Sequence, residues 1–253
     1  LLSSLIDSAV DWVASVVNMF AMRQALVPPD RDHRFGHGKA EGLGAMAQAA
    51  FISGSALLLL VEAGQRLFRP QPLEHESVAV GVMLLSIVAS AALVLYQRRV
   101  ARQTGSLLVQ ADFLHYLGDL LANMGVVVAI VISSRTAATW VDPVFALLAG
   151  LIVLRSAVQV GRKAVDQLMD RELAEEVRAE VLRVAMAVDG VLGVHDLRTR
   201  AAGPTSFVQL HLELDGRLSL NRAHAIADAA DAALREAFPD ADILIHQDPV
   251  QVS

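Results

Sequence analysis

The chain has 253 residues, 54% of them hydrophobic and 19% charged, with a mean hydropathy of +0.46. A soluble domain carries about 25% charged residues, so the composition argues against an ordinary cytosolic enzyme, and the apolar content rules out a disordered chain. There is no cysteine, hence no disulfide framework or thiolate metal site, and the net charge of −6 gives no sign of a nucleic-acid binder.

Apolar residues dominate up to about residue 160, and a bilayer-spanning helix needs about 20 of them in a row. Residues 1–22 are apolar apart from Asp7 and Asp11. Residues 43–61 and 77–97 carry no charge, and neither do residues 120–134, which extend backward to Leu107 through Asp112, His115 and Asp119. Residues 143–154 continue past Arg155 to Val160. This predicts five spans at 1–25, 43–68, 77–97, 107–134 and 142–161.

The connections alternate in charge. Arg31, Arg34 and Lys39 follow the first span, Arg98, Arg99 and Arg102 the third, and Arg162 and Lys163 the fifth. The opposite side holds Arg66, Arg69 and Arg135 with Glu62, Glu74, Glu76 and Asp142 nearby. The positive-inside rule places the first group, and with it the C-terminal region, in the cytoplasm. Leu1 then lies outside, which leads us to expect a further apolar helix upstream.

We expect a membrane domain over 1–163, a linker over 164–171 and a polar domain over 172–253. In the polar domain, residues 173–188 have helical spacing and Gly190 breaks them. Residues 194–200 and 207–214 alternate as strands around Ala202-Gly203-Pro204. Phe207, Gln209, His211 and Glu213 share one face of the second strand; Val208, Leu210, Leu212 and Leu214 share the other. Ser219 or Asn221 caps a helix running to Phe238, and residues 243–246 form a last strand. The α-β-β-α-β order predicts a ferredoxin-like α+β domain, a small sheet covered on one face by two helices.

Asp7 and Asp11 lie one turn apart on one face of an apolar helix, and His115 and Asp119 repeat the spacing in another. Each intramembrane Asp costs roughly 2.5–3.5 kcal/mol on insertion scales. Together the four offer three carboxylates and an imidazole, a set able to close a tetrahedron around Zn²⁺; the alternative is hydrogen-bonded polar residues inside a bundle. Asp112, nearer the cytoplasmic end, fits that alternative. The first cytoplasmic loop holds Asp30, His33 and His37, either a second cation site or a solvated loop. The polar domain holds His195, His211, His224 and His246, the last followed by Gln247 and Asp248, a donor set suited to Zn²⁺. His75, in an external loop, is read as a plain surface residue. Known enzyme signatures such as H-E-x-x-H, G-x-S-x-G and the P-loop are missing.

Several motifs resemble the cation diffusion facilitator family, in particular its bacterial zinc and ferrous-iron exporters. They are Leu5-Ile6-Asp7-Ser8-Ala9-Val10-Asp11, Phe35-Gly36-His37-Gly38-Lys39-Ala40-Glu41, Ala111-Asp112-Phe113-Leu114-His115 with Asp119, His195-Asp196-Leu197-Arg198-Thr199-Arg200, and Ile245-His246-Gln247-Asp248-Pro249. The resemblance spans essentially the whole chain. It implies six membrane helices, of which five are visible here, and a cytoplasmic ferredoxin-like domain in a homodimer of the bacterial inner membrane. The implied transport site is Asp7, Asp11, His115 and Asp119, and the loop site Asp30, His33 and His37. The implied cytoplasmic site is His195, His211, His224, His246 and Asp248, with Gln247 as a weaker ligand. The resemblance also implies a dimer-stabilising charged interlock of Lys39 with Asp170 and an apolar gate at Leu114.

Asp and His must be deprotonated to hold metal, so metal and protons compete for the same side chains. We therefore expect efflux of a divalent cation, Zn²⁺ ahead of Cd²⁺ and Fe²⁺, in exchange for protons, with no organic cofactor. Metal in the cytoplasmic domain would bias the membrane domain toward its competent state. The alternatives are a metal sensor or storage protein and an intramembrane metalloenzyme.

Overall fold

The structure, a computed structural model, describes residues 2–68, 77–136 and 140–250; within them it leaves out the side chains of residues 2–11, 77–80, 82–83, 129 and 133–136. Arg69, Glu74, His75 and Glu76, together with the side chains of Asp7, Asp11 and Arg135, thus lie outside the described residues. The chain divides into two compact units. One comprises residues 1–24 and 40–165, the other residues 25–39 and 166–253.

The first unit is all helical: α1 Leu2–Ala25, α2 Lys39–Phe68, α3 Ser77–Thr104, α4 Leu107–Thr136 and α5 Val141–Leu168. Among the described residues, four stretches are long and apolar enough to cross a membrane: Lys39–Phe68, Leu84–Thr104, Leu107–Ile132 and Val141–Leu168. They overlap the second to fifth expected spans, the third of these lying at Leu84–Thr104 where 77–97 was expected. The helices outrun those spans, α3 through Arg98, Arg99 and Arg102 and α5 to Leu168. Charge ends a hydrocarbon-crossing segment, but Arg and Lys are good helix formers, so the helix itself continues into the polar zone.

Small residues let these helices approach. Ala45, Ala49, Ile52 and Ala56 recur along one face of α2, and Ala149, Val153, Ala157 and Val160 along one face of α5. Most of them pack with Ala111 and Leu114 of α4 in one buried cluster. The α3–α4 corner is set by three residues. Gly105, at φ +66°, ends α3 with its N–H donating to Ala101 O at 3.0 Å, and Ser106 Oγ accepts from Val109 N at the start of α4.

The second unit contains α6 Glu175–Met186, β1 Gly193–Ala202, β2 Thr205–Asp215, α7 Leu220–Ala237 and β3 Ala241–Val250. The sheet order is β1-β2-β3, with β1–β2 antiparallel and β2–β3 parallel through the α7 crossover. Val208, Leu210, Leu212 and Leu214 are buried against Val181 and Ala185 of α6 and Ile226, Ala230 and Leu234 of α7. The alternation in residues 207–214 therefore puts the aliphatic face under the helices and leaves Gln209, His211 and Glu213 on the other face. Ser219 is the residue that caps α7, its side chain accepting from Arg222 N.

The first strand departs from simple alternation. His195 pairs with His211 but Arg198 pairs with Gln209, so β1 holds one extra residue between these positions, where Asp196 takes φ +47°. This bulge reverses the facing of the strand. His195 stands on the polar face while Thr199, four residues on, is buried on the core side, accepting from Leu173 N at 3.0 Å.

Candidate metal sites

The sheet register builds the first site. Cα pairing sets His195 opposite His211 and His211 opposite His246, a row of three imidazoles across three strands. The next row along sets Glu213 opposite Asp248. Ring centroids are 5.2 Å apart for His195–His211 and 4.6 Å for His211–His246. Asp248 sits at the centre: Oδ2 lies 2.9 Å from His211 Nδ1 and 3.1 Å from His195 Nε2, and Oδ1 lies 3.1 Å from His246 Nε2. Donor atoms around a tetrahedral Zn²⁺ stand about 3.3 Å apart for bonds near 2.0 Å, so this N/O set has the right chemistry and nearly the right spacing. The hydrogen bond with His211 holds the Asp248 carboxyl below its ordinary value; burial opposes this, and the neighbouring imidazoles reinforce it.

Two more side chains join that cluster. Glu213 Oε1 is 2.9 Å from His195 Nδ1, and Asp196 Oδ2 is 3.7 Å from His211 Nε2. Glu213 was accessible from the period of two that places it with His211. Asp196 was hidden by the bulge. Gln247 and His224 do not join. Gln247 pairs with Leu212, whose side chain lies in the core, because residues adjacent along a strand face opposite ways. His224 stands on α7, which packs on the other face of the sheet; it is 69% exposed and 3.5 Å from Asp228.

The second group lies in residues 25–39. Asp30 Oδ1 accepts from the backbone N–H of Asp32 at 2.9 Å and of His33 at 2.6 Å, which closes a tight turn. His33 Nδ1 is then 3.4 Å from Asp30 Oδ1, and His37 Nε2 is 3.5 Å from Oδ2. The His33 N–H holds the Asp30 carboxyl low, with the Asp32 N–H and the two imidazoles helping against burial. One donor atom from each of the three residues falls within 4.8 Å of the others. The turn packs on the strands of its own unit: the Phe35 and Phe207 rings meet edge-on at 5.8 Å, with the Arg200 guanidinium 4.2 Å from the Phe207 centroid. Lys39 Nζ lies 2.9 Å from Asp170 Oδ1, and Arg200 Nη1 lies 3.3 Å from the same oxygen.

The third group is in the helices. His115 Nε2 lies 3.8 Å from Asp119 Oδ2, one turn apart on α4. Both line a cavity of about 450 Å³ with Phe51, Ser55, Gly118 and Val153. Leu114 beside them is buried among Ile52, Ala56 and Val153. Asp7 and Asp11 fall on α1, also one turn apart, their side chains outside the described residues. Asp112 is held by its neighbours, accepting from Asn18 Nδ2 at 3.3 Å and from Gln97 Nε2 at 2.5 Å.

The cation efflux transmembrane domain matches residues 1–169, and the cytoplasmic domain of cation efflux proteins matches residues 173–250. The chain belongs to the cation diffusion facilitator family. Relatives named "Cation-efflux pump FieF" include one from Shewanella oneidensis, 49% identical over 252 residues, and one from Klebsiella pneumoniae, 46% identical over 254. Each alignment covers 100% of this chain, and 85% and 84% of the respective relative. A solved structure, "MamM-CTD 215-293", matches 30% of this chain and 98% of its own at 25% identity and a TM-score of 0.29. The protein is thus a cation efflux transporter, not an enzyme, with a transmembrane domain of apolar helices and a cytoplasmic α+β domain.

Proposed function

We propose that this family member exports a divalent metal, Zn²⁺ first and Cd²⁺ or Fe²⁺ after it, by exchange for protons. The observation that carries the reading is His115 and Asp119, a titratable pair one turn apart that lines a cavity inside an apolar helix bundle. Asp7 and Asp11 complete the ligand set by the same spacing on α1. A carboxylate–imidazole set binds metal only after it sheds protons, so loading of one empties it of the other. A site that faces each side in turn then lets an inward proton gradient drive metal outward. Three carboxylates and one imidazole suit a tetrahedral ion, which favours Zn²⁺.

The protein works as a homodimer, with Lys39 and Asp170 as a charged interlock and Leu114 as the gate beside the ligands. Residues 1–163 form the transport domain, 164–171 a linker and 172–253 a regulatory domain. In the regulatory domain, metal at His195, His211, His246 and Asp248 favours the competent state; Asp30, His33 and His37 hold a further ion. The dense packing of N and O donors around Asp248 supports metal binding there. Uptake of Zn²⁺ by inverted membrane vesicles tests the reading. We expect wild type to accumulate Zn²⁺ with an acid lumen and Asp11→Ala not to; equal uptake by both would refute the assigned site.

A further inference from the structure

The buried polar residues beside Asp112 are not used by the transport site. Asn18 and Gln97 are each only 8% exposed, and each spends its amide nitrogen on the Asp112 carboxylate. The carbonyl oxygens Asn18 Oδ1 and Gln97 Oε1 have no hydrogen-bond partner among the described residues. Buried acceptors left unpaired cost free energy, and the structure tolerates two of them side by side. All three residues line one cavity of about 380 Å³, together with Ser15, Tyr96 and Tyr116. That space is ample for an ion that keeps part of its water shell.

The position is as informative as the chemistry. Asp112 precedes His115 by three residues, about 4.5 Å along the α4 axis toward the cytoplasmic end. Asn18 follows Asp11 by seven residues, two turns along the same face of α1. The ligand faces of α1 and α4 thus each continue one or two turns toward the cytoplasm, and there the Asn18–Asp112 hydrogen bond joins them. Gln97 comes from α3 near its Arg-rich cytoplasmic end.

We propose that Asp112, Asn18 and Gln97 form a staging site that receives a partly hydrated divalent cation from the cytoplasm and passes it to the transport site. One carboxylate and two amide carbonyls are hard oxygen donors, so the ion is held through oxygen and water, weakly and with little selectivity among divalent metals. Selection then falls to the imidazole-containing site one turn deeper. Side-chain amides turn readily, so a carbonyl oxygen can face the ion when the amide nitrogen leaves the carboxylate. This inference rests on the transport reading above.

The test uses the full-length protein in proteoliposomes, with Zn²⁺ on the side of the cytoplasmic domain. Asp112→Asn, which keeps the shape, and Gln97→Leu are expected to raise the half-saturating Zn²⁺ concentration by at least about tenfold, the loss of one charge-assisted contact. Equilibrium affinity of the transport site, titrated in detergent, stays within about twofold of wild type on the same argument, its four ligands being intact. Unchanged saturation in both variants overturns the proposal. So does a parallel fall in equilibrium affinity, which would mean that the cluster only clamps α1 on α4. A wild type that carries no Zn²⁺ refutes the transport reading instead, and Mn²⁺ then serves as the probe. In a His115→Ala background, its electron paramagnetic resonance should report an oxygen-ligated ion that Asp112→Asn removes; no such ion overturns the staging site independently of flux.

Discussion

His211 and His246 face each other across the parallel β2–β3 pair, their rings 4.6 Å apart, and Asp248 reaches back to lie within 3.1 Å of a ring nitrogen on each. Register alone brings about this juxtaposition. One aliphatic strand face must go under α6 and α7, and the residues between are carried to the opposite face as a row.

From that row we expect His211→Ala and Asp248→Ala each to abolish Zn²⁺ binding at the sheet, as measured by calorimetry on the detergent-solubilised protein. Gln247→Ala and His224→Ala should leave it unchanged if binding occurs within one chain. Loss of binding in His224→Ala would mean that α7 of a second protomer supplies a ligand.

The same site should empty on acidification from pH 7 to 5. Metal and protons compete for the same donors, and the Asp248 carboxyl, held below its ordinary value chiefly by the His211 hydrogen bond, keeps its charge over that range. In the metal-free protein the sign is that of a depressed carboxylate. Its contribution to stability is complete above the ordinary value and is lost as pH falls through the lowered one. His211→Ala should raise the Asp248 titration midpoint, read by carboxyl NMR.

Gly38 shows where a small residue is obligatory. A Cβ there would lie 2.0 Å from Ala202 O, in the β1–β2 turn whose Gly203 has φ +61°. Gly38→Ala must displace the Asp30–His37 turn from the sheet. We expect it to weaken metal binding at Asp30, His33 and His37 while the His211 site keeps its affinity.

Lys39 and Asp170 give a different expectation. Burial raises the Asp170 carboxyl, but the Lys39 hydrogen bond and the charges of Lys39 and Arg200 outweigh it, and the group ends below its ordinary value. The pair is largely exposed, so either single neutralisation should change stability by at most about 1 kcal/mol. Transport should fall much further, and the swap Lys39→Asp with Asp170→Lys should restore it only in part, because Arg200 also lies 3.3 Å from Asp170. By contrast, Leu212→Ala in the fully buried core should cost about 2–5 kcal/mol in thermal unfolding.

Much of this architecture was legible in the sequence, because two strong periodicities write it. Two charge-free runs, 43–61 and 77–97, and two apolar runs interrupted by Asp112, Asp119 and Arg155 mark the described spans, and the period of two in residues 207–214 separates core from site. The cap of α7 was legible to within two candidates, Ser219 and Asn221, because capping is a local interaction; Ser219 accepts from Arg222 N. Three features were not readable. The bulge at Asp196 depends on pairing with β2, so spacing along β1 alone assigns the residues beyond it to the wrong face. The exclusion of Gln247 follows because β3 runs on to Val250, past the expected end of the strand at His246, and so sets Gln247 opposite Leu212. Asp112 could be placed inside the bundle, but its partners Asn18 and Gln97 come from α1 and α3, brought near only by helix packing.

The most direct test of the account records Zn²⁺ flux and lumenal pH together in proteoliposomes, for wild type and His115→Ala. We predict that Zn²⁺ movement in wild type is matched by opposite proton movement, and that both vanish in the variant, which retains its fold by thermal melting. Zn²⁺ flux without a pH change would contradict exchange, and undiminished flux in His115→Ala would contradict the site.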